Sequence, residues 1–168
     1  ASLFSKEITL TGDESLQKRP MQPLLDALSS IGAKCSSTDG NPPVKIQGSV
    51  LGGEITIPGN LSSQFISSLL ITAPLTKNGI NLTIEGDLVS KPYLDATIAT
   101  MRKFGVSVKT LIPYKKYNIT PQIYKNTTFS VPIDFSSLAL LLSCTVLNGE
   151  DVVIKGSMGN LPQGDEAF

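Results

Sequence analysis

Two spacings of apolar residues alternate along the chain. Leu24, Leu28 and Ile31 recur at i, i+4 and i+7, and Leu94, Ile98 and Met101 do the same. That period puts one apolar stripe on each of two helices and leaves their other faces wet. Pro20 and Pro92 suit a first helical turn, while Gly32 and Gly105 suit the stops. Two further runs, Phe65 to Leu75 and Leu138 to Leu147, are apolar nearly all round. They predict helices from about Ser62 and Ser136 that belong in a buried centre. Val44-Lys45-Ile46-Gln47, Glu54-Ile55-Thr56-Ile57 and Thr128-Phe129-Ser130-Val131 alternate apolar with polar, as strands with one wet face do. Asn81 to Gly86 and Asp151 to Gly156 read as strands that follow a glycine turn. The pattern predicts buried helices covered by solvent-facing mixed sheets, the reverse of a common doubly wound fold.

The pattern also repeats. Val131-Pro132-Ile133-Asp134-Phe135-Ser136-Ser137 echoes Ile57-Pro58-Gly59-Asn60-Leu61-Ser62-Ser63 at an offset of 74 residues. Arg19-Pro20 and Lys91-Pro92 open the two amphipathic helices at an offset of 72, and Gly32 and Gly105 close them at 73. A further opening begins at Gly156. The expected organisation is a single partial domain over 1–168, with repeat units at roughly 1–86 and 87–156 and the start of a third at 157–168. An incomplete repeat exposes an apolar end, so dimerisation or local disorder is expected near Phe168.

Composition narrows the chemistry. Lys plus Arg and Asp plus Glu both number 14 in 168 residues, which excludes the surplus of cations a nucleic-acid binder needs. There is no His, so a Ser-His-Asp triad, a Cys-His pair and a His-liganded metal are excluded, and no metal or cofactor is expected. Cys35 and Cys144 stand far apart inside apolar stretches and read as small buried hydrophobes in a reducing compartment. No run reaches the ~18 apolar residues of a membrane span, and no signal-peptide core opens the chain, so the expected location is cytoplasmic.

Several segments carry a resemblance. Arg19-Pro20-Met21, Pro42-Pro43-Val44 to Gly53, Ser62-Ser63-Gln64-Phe65, Val89-Ser90-Lys91-Pro92-Tyr93 and Gln163-Gly164-Asp165 together resemble the 5-enolpyruvylshikimate-3-phosphate (EPSP) synthase family, in its order and spacing. The resemblance implies an α/β (α+β) fold: an inside-out α/β barrel of repeated β-α-β-α-β-β units. It implies transfer of the enolpyruvyl group of phosphoenolpyruvate to the 5-hydroxyl of shikimate-3-phosphate, a step toward chorismate and the aromatic amino acids. Carried over by residue, the shikimate-3-phosphate contacts fall on Ser62, Ser63, Gln64, Ser90 and Tyr93. The phosphoenolpyruvate contacts fall on Arg19 and again on Gln64.

The residue types suit that task, because two phosphorylated carboxylates ask for anion holders rather than a nucleophile. A helix N-terminus at Ser62 offers backbone N–H groups and a positive dipole end, and Arg19 offers a planar fork. Each also has a plainer reading. Ser62-Ser63 recurs as Ser136-Ser137 and could simply cap a helix. Arg19 pairs with Lys91 and could be surface, and Tyr93 pairs with Met21 and could fill a helix flank. Asp134 reads as turn or cap chemistry. Gln64 stands apart, because the repeat puts Leu138 at its copy position.

The family's N-terminal Lys-Ser and Arg motif, its proton-accepting acid and the Lys/Arg cluster of its other domain have no counterpart here. The resemblance therefore implies a half-site with no catalytic residue of its own, inactive alone and completed by the second domain and the missing repeat. A UDP-N-acetylglucosamine enolpyruvyl transferase-like enzyme is one alternative, though its reactive Cys is absent from the loop Gly12 to Lys18. A non-catalytic repeat scaffold is the other.

Overall fold

The computed structural model describes residues 1–149, 151–157, 159 and 161–164. The Gly156 opening and its Gln163-Gly164-Asp165 tag lie partly outside these, and Asp165 and Phe168 wholly so.

The elements run β1 (Ile8–Leu10), α1 (Glu14–Gln17), α2 (Gln22–Ser30), β2 (Lys34–Thr38), β3 (Asn41–Gln47), β4 (Gly53–Pro58), α3 (Ser63–Thr72), β5 (Ile80–Glu85), α4 (Lys91–Lys103), β6 (Lys109–Ile112), β7 (Lys116–Ile119) and α5 (Phe135–Asn148). One sheet is antiparallel in the order β1-β3-β2. The other has the order β4-β5-β7-β6, with β4 and β5 parallel and the remaining pairs antiparallel. Among the described residues neither sheet closes into a barrel.

Sheet pairing sets the phase of the repeat. β4-α3-β5-α4-β6-β7 is one β-α-β-α-β-β set over 53–119, and β1-α2-β2-β3 has the strand arrangement of that set's second half. The break between sheets falls between Gln47 and Gly53, whereas the sequence repeat alone put a boundary near residue 86. A translational repeat gives the period and leaves the starting point free; hydrogen-bonded strands choose it.

Alternation explains the wet faces. β3 buries Val44 and Ile46, β4 buries Ile55 and Ile57, and β5 buries Ile80, Leu82 and Ile84, with more exposed residues between. These side chains meet Leu25, Leu28 and Ile31 around α2, Ile66, Leu69 and Leu70 of α3, and Leu94 and Met101 of α4 in one core. The apolar stripes of α2 and α4 and the core-facing side of α3 are buried against the sheets, as the pattern predicted. Gly32 and Gly105 take positive φ just past α2 and α4 and end both helices as expected. Pro92 lies in the first turn of α4, but α2 starts at Gln22, so Pro23 takes that place and Pro20 precedes the helix.

Four expectations are corrected. Thr128 to Val131 and Asp151 to Lys155 form no strand, because no neighbouring strand pairs with them; Phe129 packs its ring on Phe104 instead, 5.7 Å between centroids. The helix after Asp134 is not buried. α5 is apolar as predicted, yet it buries Leu138 alone and exposes Leu141, Val146 and Leu147. Cys144 lies on α5 and is exposed with it, while Cys35 is half-buried in β2. Gly12 to Lys18 is not a plain loop: α1 forms there, started by Asp13, whose carboxylate accepts the Leu16 N–H at 2.8 Å.

Candidate active-site cleft

α3 and α4 begin side by side, and the reason is the parallel pair beneath them. β4 leads into α3 and β5 into α4, so both helix starts lie at the carboxyl ends of adjacent parallel strands, where open α/β sheets bind ligands. The two connecting loops are stitched together at Gly59. Its N–H donates to the Glu85 carbonyl at 2.8 Å, and its carbonyl accepts the Val89 N–H at 3.1 Å. A side chain there would force the two loops to shift, since a β-carbon on Gly59 would lie 2.7 Å from the Ile84 methyl and 3.0 Å from the Asp87 carbonyl.

Above this junction lies a cleft of about 640 Å³ lined by Arg19, Leu61, Ser62, Ser63, Gln64, Ser67, Ser68, Ile71, Val89, Ser90, Tyr93 and Thr97. All six residues singled out in the sequence are among them. An adjoining hollow of about 530 Å³ shares Arg19, Leu61, Ser62, Gln64 and Ser68 and extends toward Leu16, Met21 and Leu24. Neither is lined by an Asp or a Glu among the described residues, so the charge on these walls is the Arg19 guanidinium.

Ser62 does cap α3: its hydroxyl oxygen accepts the Gln64 N–H at 3.2 Å, and its hydroxyl proton stays free to donate. The Phe65 N–H turns back to the Ser62 carbonyl at 3.3 Å. The first turn of α3 thus spends the Gln64 and Phe65 N–H groups on itself. Ser63 is buried and Gln64 exposed. Ser90 precedes α4 in the left-handed region, φ 56°, and its side chain makes no capping bond. Tyr93 is 61% exposed, so it stands in the cleft wall and does not fill a helix flank.

The repeat argument for Gln64 changes. α5 starts 72 residues after α3 and is capped by Asp134, not by a serine; its carboxylate accepts the Ser136 and Ser137 N–H groups at 3.3 and 3.2 Å. Asp134 therefore has the cap role expected of it. Counted from the caps, the copy of Gln64 is Ser136, polar like itself, and Leu138 is the copy of core residue Ile66. What sets Gln64 apart is its place in the cleft, not its contrast with Leu138.

Sequence reasoning missed the cleft floor. Ser67 and Thr97 hydroxyls meet at 2.9 Å across α3 and α4, and Thr97 also donates to the Tyr93 carbonyl at 2.8 Å. Ser68 donates to the Phe65 carbonyl at 2.8 Å. The signal was available: Ser63 and Ser67, and Gln64 and Ser68, are i, i+4 pairs that draw a polar stripe down an otherwise apolar helix. Gln163 was noted only as part of a tag. It accepts the Phe135 N–H at 3.0 Å and donates to the Ile133 carbonyl at 2.8 Å, which ties its segment to the start of α5.

Comparison with known proteins decides the family. The family model for EPSP synthase (3-phosphoshikimate 1-carboxyvinyltransferase) matches residues 1–168. The chain belongs to the EPSP synthase family. It is 79% identical over 168 residues to the 3-phosphoshikimate 1-carboxyvinyltransferase of Nitrosopumilus maritimus, covering all of this chain and 40% of that protein. It is 41% identical over 169 residues to the enzyme of that name from Methanothermobacter thermautotrophicus, covering 98% of this chain and 39% of the relative. The fold resembles EPSP synthase from Acinetobacter baumannii, with TM-score 0.69 and 29% identity over 84% of this chain and 31% of that one. The chain thus spans about 40% of the length of the curated relatives it matches. Among the described residues no helix is long and apolar enough to cross a membrane.

Proposed function

We propose that this chain supplies the shikimate-3-phosphate side of an EPSP synthase site, as one partial domain of a longer enzyme that works in the cytoplasm. The observation that carries the reading is the convergence of Arg19, Ser62, Ser63, Gln64, Ser90 and Tyr93 on one cleft that no Asp or Glu among the described residues lines. Ser62, Ser63 and Ser90 offer hydroxyl donors to a phosphate, and Tyr93 forms the rim. Arg19 and Gln64 also line the adjoining hollow, which suits the carboxylate of phosphoenolpyruvate held beside the first ligand.

In the reaction the 5-hydroxyl oxygen of shikimate-3-phosphate bonds to C2 of phosphoenolpyruvate, and the C2–O bond to phosphate breaks. The hydroxyl proton and the proton transiently taken by the methylene carbon must be handled by acids and bases. The cleft walls hold no Asp, Glu or Lys for this among the described residues, so the role of this chain is binding and orientation, and turnover needs the other domain.

The test is calorimetric titration of the chain with shikimate-3-phosphate beside Ser62→Ala and Arg19→Ala. Millimolar binding that weakens in Ser62→Ala supports the half-site. No binding at any concentration favours the scaffold reading, and enolpyruvyl transfer by the isolated chain would overturn the assignment of proton transfer to another domain.

A further inference from the structure

The turn between β6 and β7 takes no part in the cleft, yet it grips the loop that carries Ser90 and the start of α4 that carries Tyr93. Lys115 reaches over with its ammonium to the Gly86 carbonyl and lies 3.9 Å from the Asp87 carboxylate. The Lys115 carbonyl accepts the Ile84 N–H at 2.8 Å, at the end of β5. Tyr114 reaches further, to α4 itself: its hydroxyl donates to Asp95 Oδ2 at 2.9 Å, and the Lys91 ammonium lies 5.2 Å from its ring centre.

Tyr114 is itself held from below. It sits at φ 57°, a left-handed conformation uncommon for a bulky residue, which persists only where the surroundings fix it. Its N–H donates to the Tyr117 hydroxyl at 2.9 Å, and Tyr117 is 2% exposed in β7, opposite Leu82 of β5. The result is a rigid strut from the sheet to the first turns of α4. Ser90 is left-handed too, but its side chain makes no capping bond to hold it.

We propose that Tyr114, acting through Asp95, is a positioning residue for the cleft: it fixes the start of α4 so that Ser90 and Tyr93 are in place before a ligand arrives. Neither Tyr114 nor Asp95 lines the cleft, so the effect passes through the helix. Pre-set wall groups bind more tightly because less ordering is left for the binding step.

The test has two arms, and only the second rests on the reading of the cleft as a shikimate-3-phosphate site. Tyr114→Phe removes the hydroxyl and keeps the ring under Lys91; Asp95→Ala removes the acceptor; Asp95→Asn keeps one and serves as the rescue. In the first arm, amide hydrogen exchange at Val89 and Tyr93, whose N–H groups donate to the Gly59 and Ser90 carbonyls, is expected to quicken about two- to tenfold in Tyr114→Phe and Asp95→Ala, the worth of one net hydrogen bond. Exchange in β7 and the unfolding midpoint should stay near wild type, and Asp95→Asn should resemble wild type. Unchanged exchange at the start of α4, or an equal rise throughout β7, overturns the proposal.

In the second arm, titration with shikimate-3-phosphate should show the same two variants binding about two- to tenfold more weakly, with little further loss once Tyr93→Ala is present. Faster exchange with unchanged binding overturns the positioning role. Faster exchange in a chain whose wild type does not bind shikimate-3-phosphate overturns the ligand assignment and leaves the strut standing.

Discussion

Helices α3 and α5 have nearly the same composition and opposite surroundings. Neither contains a charged residue, and both carry a broad apolar face, with a polar stripe on the cleft side of α3. In α3, Ile66, Leu69 and Leu70 are at most 1% exposed, because α2, β4, β5 and α4 close around them. Their counterparts 72 residues on, Leu138, Leu141 and Leu142, are 6%, 62% and 37% exposed. The difference teaches that an apolar helix states a demand for cover, and only paired strands meet it. The flanks of α3 form β4 and β5; the flanks of α5 leave Thr128 to Val131 and Asp151 to Lys155 without a sheet.

That contrast is open to measurement. Leu69→Ala should cost about 2–5 kcal/mol in denaturant unfolding, the range for emptying a packed core site, whereas Leu141→Ala should move stability by less than about 0.5 kcal/mol. Equal costs would mean that α5 is covered in solution. Gly59→Ala should come next, at about 1–3 kcal/mol, because the new methyl meets Ile84 and the Asp87 carbonyl. It should also weaken shikimate-3-phosphate binding by parting the two loops, read by calorimetry on the folded variant.

The caps separate the helices more finely. Ser62→Ala should cost about 0.5–2 kcal/mol of global stability, since α3 is part of the core; Asp134→Ala should leave the global midpoint in place and quicken amide exchange only over the first turn of α5. The smallest effect is with pH. The Ser137 hydroxyl, at 2.5 Å, holds the Asp134 carboxyl below its ordinary value of 3.8, with the Ser137 and Ser136 N–H groups adding to it against a desolvation effect. A lowered acid contributes stability above its unfolded pKa and loses it as pH falls through the folded value. Protection from exchange at the start of α5, taken relative to the intrinsic rate at each pH, should therefore fall below about pH 4, while the start of α3, capped by a hydroxyl that does not titrate, should show no such step.

Much of the cleft was legible. Arg19, Ser62, Ser63, Gln64, Ser90 and Tyr93 were all named from the sequence and all line it. They were legible because they lie at helix entries, where proline, serine and glycine mark the chain locally. The floor was harder to see: Ser67 and Thr97 meet only because α3 and α4 pack together, a contact across 30 residues. The strut through Tyr114 depends in the same way on β7 lying beside β5.

The sequence by itself determined the stripes of α2 and α4, the alternating strands β3 and β4, the period near 72, the family and the six residues that line the cleft. These follow from local chemistry and short-range spacing, which a linear chain displays directly. Tertiary structure alone decided the phase of the repeat, the burial of α3 against the exposure of α5, and the closeness of the two loops at Gly59. Each of these depends on which strands pair, and pairing is a relation between distant segments. The zero net charge of the chain belongs to both accounts: the sequence shows that no global field draws an anion, and the fold shows the Arg19 guanidinium set among hydroxyls in a cleft that, among the described residues, no carboxylate lines.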